Sequence, residues 1–305
     1  MGNLKTALRS TFEDGTTYGT VNSDGYLYSF LDNVYGHTMS VEHQKMFEHG
    51  SGSELHSKAR AVHSSSMLGY NFFSWIDEQH PFVFDDVSYT KVYFEIQLHT
   101  LNMNTFPANM DIVLDGLSNE GTRVILFIES KFLEYTENKE EIKMPVSYTR
   151  PKKYYDGCNW TDVAEKMKDV FTDNTHYNEG LKQSFCHLVA LDALCNNPKA
   201  LEEFNENNKY TGLQITDTAS TTILFANAIY CPSTDYKEER KMYDDYESLY
   251  KNHFLPLVKE LHNDSIQPKW YNYSQIWSAM KTQIKDDKRI AYIQRRYMDF
   301  AEKME

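Results

Sequence analysis

Two runs decide how the chain is read: Asn109-Met-Asp-Ile-Val-Leu-Asp115 and, after Asp115-Gly116 and Asn119-Glu-Gly121, Arg123-Val-Ile-Leu-Phe-Ile-Glu-Ser-Lys131. In the first, Met110, Ile112 and Leu114 alternate with Asp111, Val113 and Asp115, the period of a strand. The Gly-containing pairs supply a turn. The second run continues to Leu133 and is apolar on both faces from Val124 to Ile128, which places it inside a sheet rather than at its edge. Upstream, residues 91–101 (KVYFEIQLHTL) also alternate. Val92, Phe94, Ile96 and Leu98 share one face; Tyr93, Glu95, Gln97 and His99 share the other, which predicts a half-buried strand whose polar side (Glu95, Gln97, His99) could flank a site but reads first as a solvated face.

Outward from these strands, Ser51-Gly-Ser-Glu54 has the form of a capping box, and Leu55, Ala59 and Val62 follow at helical spacing, predicting a helix from Ser51 to about Trp75. Acidic residues 134–141 and the Arg-Pro-Lys-Lys of residues 150–153 predict a surface excursion. Gly180 to Asn196 reads as a helix stopped by Pro198, and Thr221 to Cys231 as a buried strand ended by Pro232. Residues 1–50 show no sustained period and are expected to form short strands and loops. Residues 235–305, rich in Lys, Glu and Tyr and broken near Pro256 and Pro268, are expected to be helical. The expected class is α/β: a mixed sheet flanked by helices over residues 51–235, an N-terminal extension (1–50) and a helical C-terminal layer (236–305) packed on the core.

With 305 residues, 41% of them hydrophobic and 14% aromatic, the chain can fill a core, which excludes wholesale disorder. A formal charge of −13 argues against non-specific coating of nucleic acid, although a local basic groove remains compatible with it. No apolar run approaches the roughly 18–20 residues that a bilayer span needs, and the N-terminal residues have no hydrophobic signal region. The expectation is a cytoplasmic protein with no membrane partner. Cys158, Cys186, Cys195 and Cys231 are too far apart for a C-x-x-C motif and are expected to be reduced.

Glu129 and Lys131, two apart on a strand, project from one face, and Asp111 on the neighbouring strand comes alongside them. Burying ionised groups at the end of so apolar a run costs several kcal/mol per ion unless they pair or bind a cation. Two carboxylates suit Mg²⁺, and a neighbouring lysine can orient or activate water, which is the chemistry of phosphodiester hydrolysis. On spacing alone, an internal Glu129–Lys131 ion pair with Asp111 capping a turn stands level with that reading.

Asp111 followed eighteen residues later by Glu129-Ser-Lys131 resembles the PD-(D/E)XK nuclease superfamily. The order helix, three strands, helix, strand resembles its α-β-β-β-α-β, restriction-endonuclease-like core over roughly residues 50–235. The literal Pro-Asp pair is missing: Met110 precedes Asp111, and the nearest proline is Pro107. The resemblance implies a Mg²⁺-dependent nuclease, with Mn²⁺ a possible substitute and DNA the default substrate. It implies Asp111, Glu129 and Ser130 as metal ligands, Lys131 as the residue that positions or activates water, and Glu54 as an accessory acid from the first helix. Some branches carry Gln-x-x-x-Tyr on the later helix; here Gln183 is followed by His187, and Gln183 is the implied site or DNA contact. The stretch His63-Ser-Ser-Ser66 to Asn71-Phe-Phe resembles one uncharacterised nuclease-like branch and implies a wall of the site.

No G-x-S-x-G, Walker, G-x-G-x-x-G or H-E-x-x-H motif occurs, and a zinc site from His49, His56 and His63 is not expected. Lys281, Lys285, Lys288, Tyr292 and Arg295 at helical spacing, with Arg150, Lys152 and Lys153, are candidates for gripping phosphates or, equally, a solvated face. Two alternatives stand beside the nuclease: a catalytically inactive nucleic-acid- or protein-binding module that retains the fold, and an interaction protein in which Glu129 and Lys131 simply pair.

Overall fold

The computed structural model describes residues 3–13, 19–50, 54–99, 107–137, 144–149, 160–171, 177–261 and 266–303. In chain order its main elements are α1 (Leu4–Glu13), α2 (Val41–His49), α3 (Ser65–Phe73), β1 (Phe82–Phe84), β2 (Val87–Leu98), β3 (Ala108–Ser118) and β4 (Arg123–Lys131). Then follow α4 (Thr161–Phe171), α5 (Asn178–Asn196), α6 (Pro198–Asn207), β5 (Thr221–Ile229), α7 (Lys237–Leu249), α8 (Leu255–Leu261), β6 (Gln267–Asn272), α9 (Tyr273–Met280) and α10 (Asp287–Arg296). The class is α/β, as the alternating and continuous apolar runs predict.

Six strands form one mixed sheet in the order β1-β2-β3-β4-β5-β6. The first four pair antiparallel, while β5 runs parallel to β4 and β6 parallel to β5. β4 is interior, and every residue from Val124 to Lys131 is buried. The expected strands at residues 109–115, 123–133 and 221–231 are all present, two of them ending earlier, at Lys131 and Ile229. Residues 100 and 101 of the first expected strand lie outside the described residues.

Four expectations are corrected. The helix predicted from Ser51 begins only at Ser65: Ser64 Oγ caps it by accepting from Met67 N at 3.3 Å. Asn33 Nδ2 takes the carbonyls of Ala59 and Ala61 at 3.0 and 2.8 Å, which ties them outside a helix, and residues 54–63 form turns with one 3₁₀ turn. Ser51 itself lies outside the described residues. Residues 1–50 contain α1 and α2 rather than strands; Leu4, Leu8 and Phe12, four apart, bury one stripe of α1, and Phe47 of α2 stacks on Phe94 with centroids 5.5 Å apart.

The polar face of β2 is solvated only in part, Gln97 being half-buried. Tyr93 and Glu95 are 5% and 4% exposed, and Asn208, beyond α6, clamps Gln97 through both its backbone N–H (3.0 Å) and its carbonyl (2.9 Å). The C-terminal layer is not wholly helical, because β6 joins the sheet edge, with Pro268 opposite Phe225. A proline is tolerated there because an outermost strand has one side without a ladder.

Two further segments differ in part. Of the acidic stretch expected on the surface, Glu134–Thr136 forms a 3₁₀ turn with Tyr135 buried; residues 138–143 and 150–159, including Arg150, Lys152 and Lys153, lie outside the described residues. Lys281 and Lys285 precede α10, so they do not share its face with Lys288 and Arg295.

Candidate active site

The register of the sheet builds the site. Phe94 pairs with Ile112 and Ile96 with Met110, so Glu95 falls opposite Asp111. Ile112 pairs with Ile128, so Asp111 comes level with Glu129 one residue beyond that pair, and Glu129 pairs with Asn227 on β5. Three carboxylates thus lie in one row across β2, β3 and β4. Like charges set directly across strands repel, so nothing in sheet propensity favours this row. Glu95 also has a left-handed backbone, φ 51°, which is unusual for a residue with a side chain inside a strand. The chain at Gly50 approaches it so closely that a Cβ there would stand 2.6 Å from Glu95 Cβ.

Partners divide the row unequally. Glu129 Oε1 pairs with Lys131 Nζ, and Glu129 Oε2 takes His187 Nε2 at 2.8 Å, all three groups being buried. Burial alone would lift the Glu129 carboxyl, but the Lys131 ammonium and the His187 ring outweigh it and hold it down to about 2. Burial would likewise depress Lys131, yet Glu129, Glu134 and Asp111 raise it above its ordinary value, so it carries its proton. Asp111 Oδ2 accepts from Ser130 N at 2.7 Å, which does not offset burial and the repulsion of Glu129; its carboxyl is raised well above the usual range. Glu95, buried and facing Glu54 and Glu129, is pushed up to about 8. The row therefore holds one firmly ionised carboxylate and two that retain protons.

These groups open on a cavity of about 390 Å³. On one side, Glu54 Oε1 accepts from Ser66 Oγ at 2.6 Å, and Lys58 Nζ lies 3.9 Å from Glu54 Oε2. His63 Nε2 stands 3.5 Å from Glu137 Oε1, which also takes Lys5 Nζ at 3.2 Å; the His63 contact, joined by Lys5, outweighs burial and holds Glu137 down to about 2. On the other side are the first turns of α5, with Glu179, Gly180 and Gln183, and the rings of Tyr135, Tyr177 and Tyr246.

Of the residues singled out from sequence, Asp111, Glu129, Lys131, Glu54 and Gln183 all line this cavity, as do His63, Ser64, Ser65 and Ser66. Ser130 does not. Strand alternation turns its side chain to the opposite face, where Oγ lies 2.6 Å from Tyr273 Oη and 3.2 Å from Ser65 O. Asn71 is a structural hub: Nδ2 donates to Asn33 O and Tyr297 Oη at 2.8 Å each, and Oδ1 accepts from Tyr35 N at 2.8 Å. Lys281, Lys285 and Lys288 are exposed and, like half-buried Tyr292, are not among the residues lining the cavity.

Sequence reasoning missed Glu134 and Tyr246; it noted His187 only as the residue in place of the motif's tyrosine, and set Glu95 aside as a solvated strand face rather than a flank of the site. His187 had a usable signal, since it lies four residues after Gln183 and so on the same helix face. Glu95 had a weaker one: an acid in a strand flanked by apolar residues whose other face was taken to be wet.

The donor set, all carboxylate oxygen, suits a hard divalent cation such as Mg²⁺. The protons retained by Glu95 and Asp111 mark a surplus of negative charge that Lys131 alone does not balance. Among the described residues, no three His, Cys, Asp or Glu side chains stand close enough together to hold a metal ion as they are. Cys186 and Cys231 are buried, and these two and Cys195 form no disulfide. No helix among the described residues is long and apolar enough to cross a membrane. No protein-family model, curated protein or solved structure matches the chain.

Proposed function

We propose that the chain is a Mg²⁺-dependent nuclease of the PD-(D/E)XK type that hydrolyses phosphodiester bonds, DNA being the default substrate. The observation that carries this reading is the row Glu95–Asp111–Glu129 opening, with Lys131, on one cavity. In this reading α3, β2, β3, β4, α5 and β5 correspond to the core of the restriction-endonuclease-like fold, with β1 a short addition and β6 an extra parallel strand.

Asp111 and Glu129 would hold the cation, while Glu95, which the resemblance did not supply, stands next in the row as an added acid rather than a third ligand. Bound there, Mg²⁺ would supply positive charge to the phosphate and lower the pKa of water. The chain's own contribution is positional. His187 fixes the Glu129 carboxylate, leaving Oε1 to Lys131. Lys131, held as an ammonium, donates to and orients the attacking water and stabilises charge at the phosphate; it is not poised as a base. Glu54, tied to Ser66, and Gln183 line the same cavity.

The test is incubation of the purified chain with single- and double-stranded DNA and with RNA, in Mg²⁺ or Mn²⁺. Cleavage is expected, reduced at least about a hundredfold in Asp111→Ala and Lys131→Met. Failure to cut any of these polymers, together with no Mn²⁺ binding that depends on Asp111, overturns the reading. One observation favours the inactive binding module instead: both Glu129 oxygens are already satisfied by Lys131 and His187. Under that reading Lys131→Met leaves nucleic-acid or protein binding intact.

A further inference from the structure

The mouth of the cavity carries groups that the proposed hydrolysis does not use. Its inner wall is closed off from solvent, Glu95, Glu129 and Lys131 all being buried. Among the described residues that line it, only Tyr26 and Lys58 are exposed. Tyr26 is 39% exposed and the Lys58 side chain 82%, so an aromatic ring and an ammonium stand at the rim. The backbone under Tyr26 is fixed on both sides. Its N–H donates to Asn22 Oδ1 and its carbonyl accepts from Asn22 N, each at 2.9 Å, and it forms a β-bridge to Ala61 on the cavity wall. Leu27 follows, buried in one cluster with Phe12, Val21 and Val62, and its N–H donates to Arg60 O at 2.8 Å. Beyond it, Tyr28 is 72% exposed. Single exposed apolar side chains are ordinary on a protein surface, but here two rings flank a buried anchor within three residues, one of them at the rim. Tyrosine rings offer a large, rigid contact face at little cost in conformational freedom.

We propose that Tyr26, extended by Tyr28, is a stacking platform for the bases of a single-stranded polynucleotide, with Lys58 on a neighbouring phosphate. This names the substrate class of the nuclease reading and rests on it. A duplex is a stiff rod of stacked bases, and its backbone cannot descend to groups as buried as Glu129, in a cavity of about 390 Å³, without first being opened. A single strand can bend in, and stacking on an aromatic ring repays the unstacking of its base. The acids that line the cavity (Glu129, Glu134, Glu179) repel a polyanion, so the strand binds with the divalent cation in place.

The experiment uses wild type, Tyr26→Phe, Tyr26→Leu and Lys58→Gln. It measures Mn²⁺ binding by electron paramagnetic resonance, the unfolding midpoint, and affinity in Ca²⁺ for an oligothymidylate and for its duplex with oligodeoxyadenylate. Wild type and Tyr26→Phe are expected to bind the single strand equally, at least about tenfold more tightly than the duplex. Tyr26→Leu keeps the midpoint and Mn²⁺ binding, since its ring is at the rim, but binds the single strand about tenfold more weakly. Lys58→Gln reduces the slope of log affinity against log salt by about 0.7. A fluorescent purine placed in the single strand is quenched on binding wild type, a signature of stacking that does not depend on any variant folding. An unchanged affinity in Tyr26→Leu, an unchanged salt slope in Lys58→Gln, a duplex held as tightly as the single strand, or no quenching, while Mn²⁺ binds, overturns the platform and leaves the cation reading standing. Absence of Mn²⁺ binding in wild type overturns the cation reading, and the platform falls with it.

Discussion

Replacing Glu95 by glutamine keeps the shape of the protonated acid and removes its ability to ionise. In the folded chain this carboxyl is lifted from 4.5 to about 8, by burial first and then by Glu54 and Glu129. The folded state therefore binds a proton that the unfolded chain has released, and the stability this proton confers is present below 4.5 and lost as pH rises through about 8. Glu95→Gln escapes that loss. The variant should exceed wild type by about 1 kcal/mol at pH 5, about 3 kcal/mol at pH 7 and about 5 kcal/mol at pH 9. Relief of Asp111, which Glu95 also repels, adds with the same sign. The assay is urea unfolding of both proteins with EDTA present at the three pH values. A difference that stays constant across them, or that favours wild type at pH 9, would refute the claim that Glu95 lies ionisable and uncompensated in the row.

Glu129, held at about 2, acts in the opposite sense: its contribution is present above 4.5 and lost as pH falls through about 2. Glu129→Gln should therefore be about 3 kcal/mol less stable at pH 7, with a flatter acid limb in the same assay. Lys131→Met leaves Glu129 with His187 alone and should cost about 3 kcal/mol at pH 7 in EDTA; a loss under about 1 kcal/mol would show the pair to be solvated. Cation uptake at pH 7 should release about one proton or more from Glu95 and Asp111, read by calorimetry in buffers of different ionisation enthalpy; zero release contradicts the retained protons. Asn71→Ala removes two buried hydrogen bonds and a third that is part-buried, and should destabilise by about 2–4 kcal/mol on urea unfolding.

What could be read from sequence were the features that depend on a segment's own period. β3, β4, α5 and β5 bury a face that their residue order announces, and the convergence of Asp111, Glu129 and Lys131 follows from strand geometry alone. What could not be read depends on partners far along the chain. Glu95 looked solvated because the chain that covers it at Gly50 is remote in sequence, as is Asn208, which clamps the neighbouring Gln97. The start of α3 moved because Asn33 captures two carbonyls that the local pattern assigned to a helix. β6 was hidden by Pro268 and by a composition without β-branched residues, which an edge strand accepts because only its β5 side needs a ladder.

The late arrival of β6 bears on how the chain is made. While residues after 261 are still in the ribosome, β5 is a bare parallel ribbon edge with Leu224, Phe225 and Ala226 along it, ready to adhere to another nascent chain. Emergence of residues 267–272 seals that flank, and Glu302 N then donates to Cys231 O at 2.9 Å to fasten that later segment beside it. A chain that stops short of residues 267–272 should thus yield aggregates rather than a smaller working protein.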